Sequence, residues 1–223
     1  MRSGNRYADR KDAGIELAAL LTRYAKQPDV LVLGLPRGGV PVAFEVACAL
    51  DCELDVLVVR KLGTPGQEEL AMGAIASGGV RQLNERIIRD SRVTPQEIEE
   101  TTRREEAELK RREEAYRGDR LPLNVSGRTV IVVDDGLATG TTMLAAIKAL
   151  RSLDVKRLVV AVPVGARDTC RDLAREVDEF VCPLRPRDLV AISLWYVDFG
   201  QTSDTEVREL LGTHRLQAGA PRD

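Results

Sequence analysis

Residues 130–142 read V-I-V-V-D-D-G-L-A-T-G-T-T, which brings acidic, small and hydroxyl side chains into one short stretch of chain. The four apolar residues predict a buried strand, and Asp134 and Asp135 follow directly at its carboxyl end. The small residues 136–140 predict a loop leading into a helix N-terminus, where backbone N–H groups and the helix dipole favour a phosphate. Three threonines add hydroxyl donors, and the two carboxylates suit the hydroxyls of a sugar. The pattern therefore favours a sugar-phosphate site.

Other phosphate-binding patterns do not fit this stretch. A Walker loop requires a Lys and then a Ser or Thr after its last Gly, and no Lys follows Gly140. The G-x-G-x-x-G pattern of dinucleotide-binding folds is also absent here. A tight strand-to-helix turn with capping Asp residues is the structural alternative.

A second candidate segment, residues 35–39, has the sequence L-P-R-G-G and follows the first predicted strand. Gly38 and Gly39 permit positive φ angles and a close approach of the backbone to an anion. Arg37 offers a guanidinium fork suited to phosphate oxygens. Alone, the segment is also compatible with an ordinary turn.

Arg60 and Lys61 stand at the end of the second predicted strand, ahead of residues 62–70. Two Gly and one Pro in those nine residues predict a mobile loop. The two cations are compatible either with anion binding under that loop or with a solvated charge pair at a strand end.

Residues 130–142 resemble the PRPP-binding signature of type I phosphoribosyltransferases, and residues 35–39 are similar to the pyrophosphate loop of that family. The resemblance implies 5-phospho-α-D-ribosyl 1-pyrophosphate (PRPP) as substrate, Mg²⁺ as cofactor and a nucleobase or related nitrogenous base as acceptor. It implies that Asp134 and Asp135 bind the ribose hydroxyls and hold the metal, directly or through water or those hydroxyls. It assigns the 5′-phosphate to Ala138, Thr139, Gly140, Thr141 and Thr142.

The resemblance also implies where the pyrophosphate of PRPP binds. It assigns this group to Arg37, Gly38, Gly39, Arg60 and Lys61. In the family a flexible loop closes over the pyrophosphate, a role that residues 62–70 would take here. The candidate catalytic residues are then Arg37, Arg60, Lys61, Asp134 and Asp135.

The acceptor site is predicted in residues 194–199, L-W-Y-V-D-F, which contain the single Trp of the chain. Aromatic rings can stack a planar base, and a carboxylate can accept from its N–H groups. The candidates are Trp195, Tyr196, Asp198 and Phe199. The alternative is that the aromatic residues fill a core.

Apolar runs of strand length alternate with longer amphipathic stretches along the chain. Predicted strands are residues 30–34, 55–59, 129–133, 157–162 and 179–182, with a hairpin formed by 72–77 and 80–83. Predicted helices are residues 12–25, 40–50, 141–153, 167–176 and 204–211. Repeated β-α-β units with Val- and Leu-rich strands predict an α/β fold, a parallel sheet flanked by helices, as in type I phosphoribosyltransferases.

Residues 95–117 predict a charged helix inserted into this pattern, with Glu placed four residues before Arg or Lys in four pairs. The pairs predict either a solvated helix that projects from the domain or a lid or dimer contact. We expect a single domain over residues 1–223, with a core at about 28–183 and a small hood segment at 184–203 that also involves the N-terminus. A homodimer is plausible for such a domain.

Composition excludes several classes of function. A formal net charge of −2 gives no reason to expect a nucleic-acid partner. The single His excludes a His-rich metal site and argues against a Ser-His-Asp triad. The four Cys lack C-x-x-C spacing and are expected to be buried and reduced. With no apolar stretch long enough to span a membrane, we expect a cytoplasmic protein without membrane contact.

The predicted activity is transfer of 5-phosphoribosyl from Mg-PRPP to a nitrogenous base, with release of pyrophosphate. This would make the protein a pentosyltransferase. Two alternatives share the phosphate loop. One is a non-catalytic regulatory protein that binds PRPP or a nucleotide, and the other is a sugar-phosphate enzyme that ignores the pyrophosphate group.

Overall fold

The computed structural model describes residues 6–118 and 123–219. Its helices are α1 (Arg10–Ala19), α2 (Gly39–Leu50), α3 (Glu85–Asp90), α4 (Pro95–Arg117), α5 (Thr141–Arg151), α6 (Arg167–Leu173) and α7 (Asp204–Gly219). Its strands are β1 (Val30–Gly34), β2 (Glu53–Val56), β3 (Val59–Thr64), β4 (Gln67–Ala76), β5 (Val80–Leu83), β6 (Thr129–Val133), β7 (Arg157–Ala161) and β8 (Glu179–Val181). Short 3-10 helices occupy Thr22–Tyr24 and Ile192–Trp195.

The central sheet has five parallel strands in the order β2–β1–β6–β7–β8. Successive residues of β1 point to opposite faces, so Val32 packs in a core with α1, α2 and α7, whereas Leu33 packs in a second core with α5 and α6. Strands covered on both faces require continuous apolar runs, which is why they were visible in the sequence. The predicted α/β fold is confirmed. Since β1 and β6 are neighbours and Gly34 pairs with Val133, the loops that follow them start side by side.

A second, antiparallel sheet has the order β3–β4–β5. The hairpin predicted around Gly78 and Gly79 is confirmed, and both glycines have positive φ angles. The predicted second strand, residues 55–59, exists as β2 with its bounds shifted to Glu53–Val56, whereas the predicted loop at residues 62–70 is wrong. The chain leaves the central sheet at the end of β2, and residues 62–70 form the tip of the β3–β4 hairpin. The glycines that predicted a loop occupy a register shift and the hairpin turn.

Several predicted elements differ from the structure at their ends. Helix α1 stops at Ala19, six residues before the predicted end, and the chain continues into a 3-10 turn. Helices α5 and α6 end two and three residues early, and strands β7 and β8 end one residue early. Helix α7 runs eight residues further than predicted. The buried ring of His214 packs edge-on against Phe44 of α2 and anchors this extension to the domain.

Helix α4 confirms the predicted inserted helix but does not project into solvent as a solvated arm. It starts at a capping box formed by Thr94 and Glu97, and it packs against α7 and the strands β2, β3 and β4. Of the predicted ion pairs, Glu108 with Arg112 is present at 2.7 Å. Glu99 instead pairs with Arg81 of β5. The buried face of the helix comprises Thr101, Thr102, Leu109 and Tyr116.

The cysteines depart from the expectation of uniform burial. Cys170 and Cys182 are buried, but Cys48 is exposed on α2 and Cys52 is half-buried, and all four are free thiols. Burial raises the pKa of Cys52 to about 12, which keeps this thiol protonated. Within residues 6–118 and 123–219, no helix has the length and apolar character needed to cross a membrane.

The C-terminal end of α4 is fixed to the central sheet by a buried ion pair. Arg117 donates to both carboxylate oxygens of Asp55 on β2, with Nη2 at 2.9 Å from Oδ2, and both side chains are less than a tenth exposed. We expect Arg117→Leu to lower the free energy of unfolding by about 3–5 kcal/mol, because it removes the cation that faces a buried carboxylate.

Urea denaturation measures this loss. Arg111→Ala is the matched control, since Arg111 pairs with Glu108 on the exposed face of the same helix and should cost less than about 1 kcal/mol. A loss in Arg117→Leu no larger than in the control would contradict the role of the pair.

Candidate active site

The acid loop, residues 134–140, connects β6 to α5 at the carboxyl edge of the central sheet. Leu137 anchors its middle, because its N–H donates to the Val164 carbonyl at 2.9 Å and its carbonyl accepts from Ala166 at 2.8 Å. Gly140 ends the loop in a left-handed conformation with φ 72°, which favours glycine at this N-cap position. The loop is thus held by the segment that follows β7, and its end is set by the start of α5.

The predicted 5′-phosphate residues lie together at the N-terminus of α5. Ala138, Thr139, Thr141 and Thr142 are exposed. The hydroxyls of Thr139 and Thr141 are 3.3 Å apart, and the Ala138 carbonyl accepts a hydrogen bond from the Thr169 hydroxyl at 2.8 Å. This arrangement gives an open cradle of hydroxyls beside a helix N-terminus, which suits a phosphate dianion.

Residues 35–39, the loop predicted to bind pyrophosphate, lie directly beside the acid loop. The Leu35 N–H donates to the Val133 carbonyl at 2.9 Å, which ties this loop to the end of β6. Its Pro36–Arg37 peptide bond is cis. Gly38 contacts the Asp135 carboxylate so closely that a Cβ atom would overlap Oδ2. A Cβ on Gly39 would lie 2.7 Å from the Val133 carbonyl oxygen. A side chain at position 39 would meet backbone atoms, whereas one at position 38 would displace the Asp135 carboxylate.

The two adjacent acids sit in an environment that disfavours two full charges. Desolvation and the neighbouring Asp135 raise the pKa of Asp134 well above its ordinary value. Burial also raises the pKa of Asp135, although Arg10 opposes that shift. Asp134 Oδ1 accepts from the Asp135 N–H at 2.9 Å, while Asp135 Oδ2 accepts from Arg10 Nε at 2.8 Å. The acids are thus held in different ways, one by backbone and one by a cation.

Arg10 is the site residue that the sequence did not reveal. It lies at the start of α1, 125 residues from Asp135, and its guanidinium stacks on Phe199 of the hood segment at 3.9 Å. No motif or spacing connects the N-terminal helix to the acid loop, so only tertiary structure brings this cation into the site.

Arg37 extends from the loop at residues 35–39 towards α7. Its Nη1 lies 3.9 Å from Asp204, the first residue of α7, and its side chain is 39% exposed. Asp204 also accepts from the Tyr116 hydroxyl of α4 at 2.8 Å. Because the contact between Arg37 and Asp204 is long and solvated, this guanidinium is available to an incoming anion.

Arg60 and Lys61 lie on β3, inside the second sheet rather than at the end of a strand of the central sheet. Arg60 donates two hydrogen bonds to Glu105 of α4, at 2.6 and 2.9 Å. Lys61 contacts Glu69 across the hairpin at 3.2 Å. The structure thus connects these two cations to α4 and β4, whereas it brings Arg37, Gly38 and the acids together.

The hood segment covers the acid loop from the side of residues 192–200. Ile192 packs against Gly136, and the buried Tyr196 donates its hydroxyl to the Asp135 carbonyl at 2.6 Å. The Tyr196 ring also lies 5.5 Å from that of Tyr7, whose backbone pairs with Trp195 and Val197. Tyr196 therefore packs the hood against the N-terminal segment.

The other acceptor candidates are more open. Trp195 and Phe199 are half-buried, and Asp198 is exposed, where Oδ1 accepts from the Gly200 N–H at 3.0 Å. These three side chains are therefore more accessible than the enclosed ring of Tyr196.

The five-stranded parallel sheet flanked by helices defines an α/β protein whose two adjoining loops form the candidate site. Residues 4–185 match the phosphoribosyl transferase domain family, and the chain belongs to that family. The crystal structure of TT1426 from Thermus thermophilus is 40% identical with a TM-score of 0.82, covering 92% of this chain and 97% of that one. A candidate phosphoribosyl transferase of Mycobacterium tuberculosis, Rv0571c, is 45% identical over 217 residues. The aligned residues cover 96% of this chain and 49% of the relative, so the chain spans about half the length of the curated relatives it matches.

The close contact between Gly38 and Asp135 leads us to expect that a side chain at position 38 lowers PRPP affinity. Gly38 has φ −62°, which alanine adopts without strain, so Gly38→Ala changes only the space beside the carboxylate. We expect this variant to displace the Asp135 carboxylate and to weaken PRPP binding by about tenfold or more, as measured by calorimetric titration with Mg-PRPP.

Gly212→Ala on α7 is the control, because nothing lies within 4 Å of the added methyl group. It should bind PRPP as the wild type does. Equal affinities for Gly38→Ala and the wild type would show that the close contact does not shape the site.

Proposed function

We propose that this protein transfers the 5-phosphoribosyl group of Mg-PRPP to a nitrogenous base and releases pyrophosphate. The observation that carries the proposal is the meeting of two loops at the ends of the neighbouring strands β1 and β6, with the acid pair between them. Membership of the phosphoribosyl transferase domain family supports the same reaction.

The 5′-phosphate of PRPP would bind in the acid loop and at the start of α5. Exposed backbone and hydroxyl donors there suit its charge, whereas carboxylates would repel it. Asp134 and Asp135 stand just upstream and would accept hydrogen bonds from the ribose hydroxyls. In our proposal the cradle residues are Ala138, Thr139, Gly140, Thr141 and Thr142.

The pyrophosphate group would bind along residues 35–39. Arg37 supplies a partly exposed guanidinium, and the glycines let the backbone approach the anion at the N-terminus of α2. As the bond at ribose C1 breaks, negative charge grows on the leaving group, and preorganised donors there stabilise the transition state. Arg60 and Lys61 would add charge from β3, for which their pairs with Glu105 and Glu69 must exchange.

The donor chemistry of the site fits Mg²⁺. This ion prefers oxygen ligands and is commonly held by one or two carboxylates together with substrate phosphates. Asp134 and Asp135 offer adjacent carboxylates beside the proposed pyrophosphate site. Within the described residues, no group of three or more His, Cys, Asp or Glu side chains is arranged to hold a metal. Most ligands of the ion would therefore come from PRPP and water, and the bound ion would neutralise charge on the leaving group.

The acceptor would bind under the hood segment, where Trp195 and Phe199 could stack a planar ring and Asp198 could accept from its N–H groups. Binding both reactants in one closed site would orient the base nitrogen towards ribose C1 and exclude water.

A pyrophosphate-release assay with PRPP, Mg²⁺ and a panel of purines, pyrimidines and simple amides tests the proposal. Base-dependent release is the expected result. PRPP binding without release for any base would favour a regulatory protein. Binding of ribose 5-phosphate with equal affinity to PRPP would favour an enzyme that ignores the pyrophosphate group.

Asp135→Asn tests the role given to the acids. The substitution keeps the size of the side chain but removes a charged group that would accept hydrogen bonds from the ribose. We therefore expect PRPP affinity to fall by about tenfold or more. The circular dichroism spectrum should be unchanged. Asp90→Asn, at an exposed position on α3, is the control and should bind normally. Unchanged affinity in Asp135→Asn would contradict the assignment.

A further inference from the structure

Arg10 joins three parts of the molecule that are distant in sequence. Its Nε donates to Asp135 Oδ2 at 2.8 Å, its Nη1 donates to the Gly200 carbonyl at 2.6 Å, and its guanidinium lies over the Phe199 ring. The side chain is only 13% exposed. A single cation therefore connects the acid loop to the end of the hood segment.

The geometry of these contacts requires an arginine. The planar guanidinium donates in two directions in its own plane while its face stacks on an aromatic ring. A lysine ammonium is a point charge on a flexible stem and cannot satisfy the carboxylate, the carbonyl and the ring face together. The residue is thus built into the site by its shape as well as by its charge.

The surroundings of Asp135 show what Arg10 fixes. Gly38 closes one side of the carboxylate, and the Tyr196 hydroxyl holds the backbone carbonyl of the same residue. Arg10 is bound to Oδ2, so the side-chain torsion of Asp135 is set by a residue of α1 that is itself held by the hood. The direction of the second carboxylate oxygen, Oδ1, therefore depends on that bond.

We propose that Arg10 is a positioning residue that orients the Asp135 carboxylate for the ribose hydroxyls and ties that orientation to the hood segment. This inference rests on the proposed function, because it assigns Asp135 to the ribose of PRPP. In the complex, Oδ2 of Asp135 accepts from Arg10, and Oδ1 accepts from the ribose hydroxyls. Ribose binding and the position of Phe199 and Gly200 over the acceptor site are thereby coupled.

The test compares Arg10→Gln and Arg10→Lys with Lys11→Gln, a matched control at the next, exposed position of α1. Each protein is titrated with Mg-PRPP, ribose 5-phosphate and Mg-pyrophosphate. We expect Arg10→Gln to weaken the two ribose-containing ligands by about tenfold or more and by a similar factor, and to leave pyrophosphate affinity unchanged. Arg10→Lys should bind the two ribose-containing ligands more tightly than Arg10→Gln but less tightly than the wild type. Lys11→Gln should bind all three ligands as the wild type does.

A second readout uses Trp195, the only tryptophan of the chain, which lies in the hood segment. At saturating PRPP, we expect protection of its fluorescence from acrylamide quenching in the wild type and Lys11→Gln, and loss of that protection in Arg10→Gln. Saturation removes the difference in affinity, so this readout reports the coupling alone.

Three results would overturn the inference. Equal weakening of all three ligands in Arg10→Gln would show a general structural role. Unchanged affinities and unchanged protection of Trp195 would show that Arg10 does not act on the site, while the proposed function would stand. Failure of the wild type to bind both PRPP and ribose 5-phosphate would overturn the proposed function together with this inference.

Discussion

The close contact between the glycines of residues 35–39 and the two aspartates at the end of β6 is the constraint on which the site depends. A side chain at position 39 would press against the Val133 carbonyl and separate the loops, and one at position 38 would displace the Asp135 carboxylate. Adjacent parallel strands bring the loops together, and the missing side chains let them touch. In our proposal, the 5′-phosphate, the ribose and the pyrophosphate of PRPP bind around this one contact.

The same contact places two carboxylates side by side, and other parts of the fold stabilise them. Desolvation raises the pKa of both carboxyls, and the charge of Asp135 raises that of Asp134 further. The fold supplies Arg10 from α1 and the Tyr196 hydroxyl from the hood segment, so the N-terminal and C-terminal parts of the chain converge on Asp135. The hood segment therefore belongs to the acid site, because it helps to hold Asp135 in place.

The sequence was most informative where local pattern and tertiary role coincide. The apolar runs of β1 and β6 are continuous because both faces of the sheet are covered, and the acid loop is recognisable because its residues act together within one turn. It was least informative where a partner lies far away along the chain. Residues 62–70 contain loop-forming glycines, yet the pairing of β3 with β4 makes them the tip of a hairpin. Arg10 reaches Asp135 only through the packing of α1.

A crystal structure of the protein with Mg-PRPP would show where each part of the substrate binds. We expect the 5′-phosphate at residues 138–142, the ribose hydroxyls on Asp134 and Asp135, and the pyrophosphate along residues 35–39. An empty acid loop at saturating Mg-PRPP, or a substrate bound with its ribose away from both aspartates, would contradict this expectation.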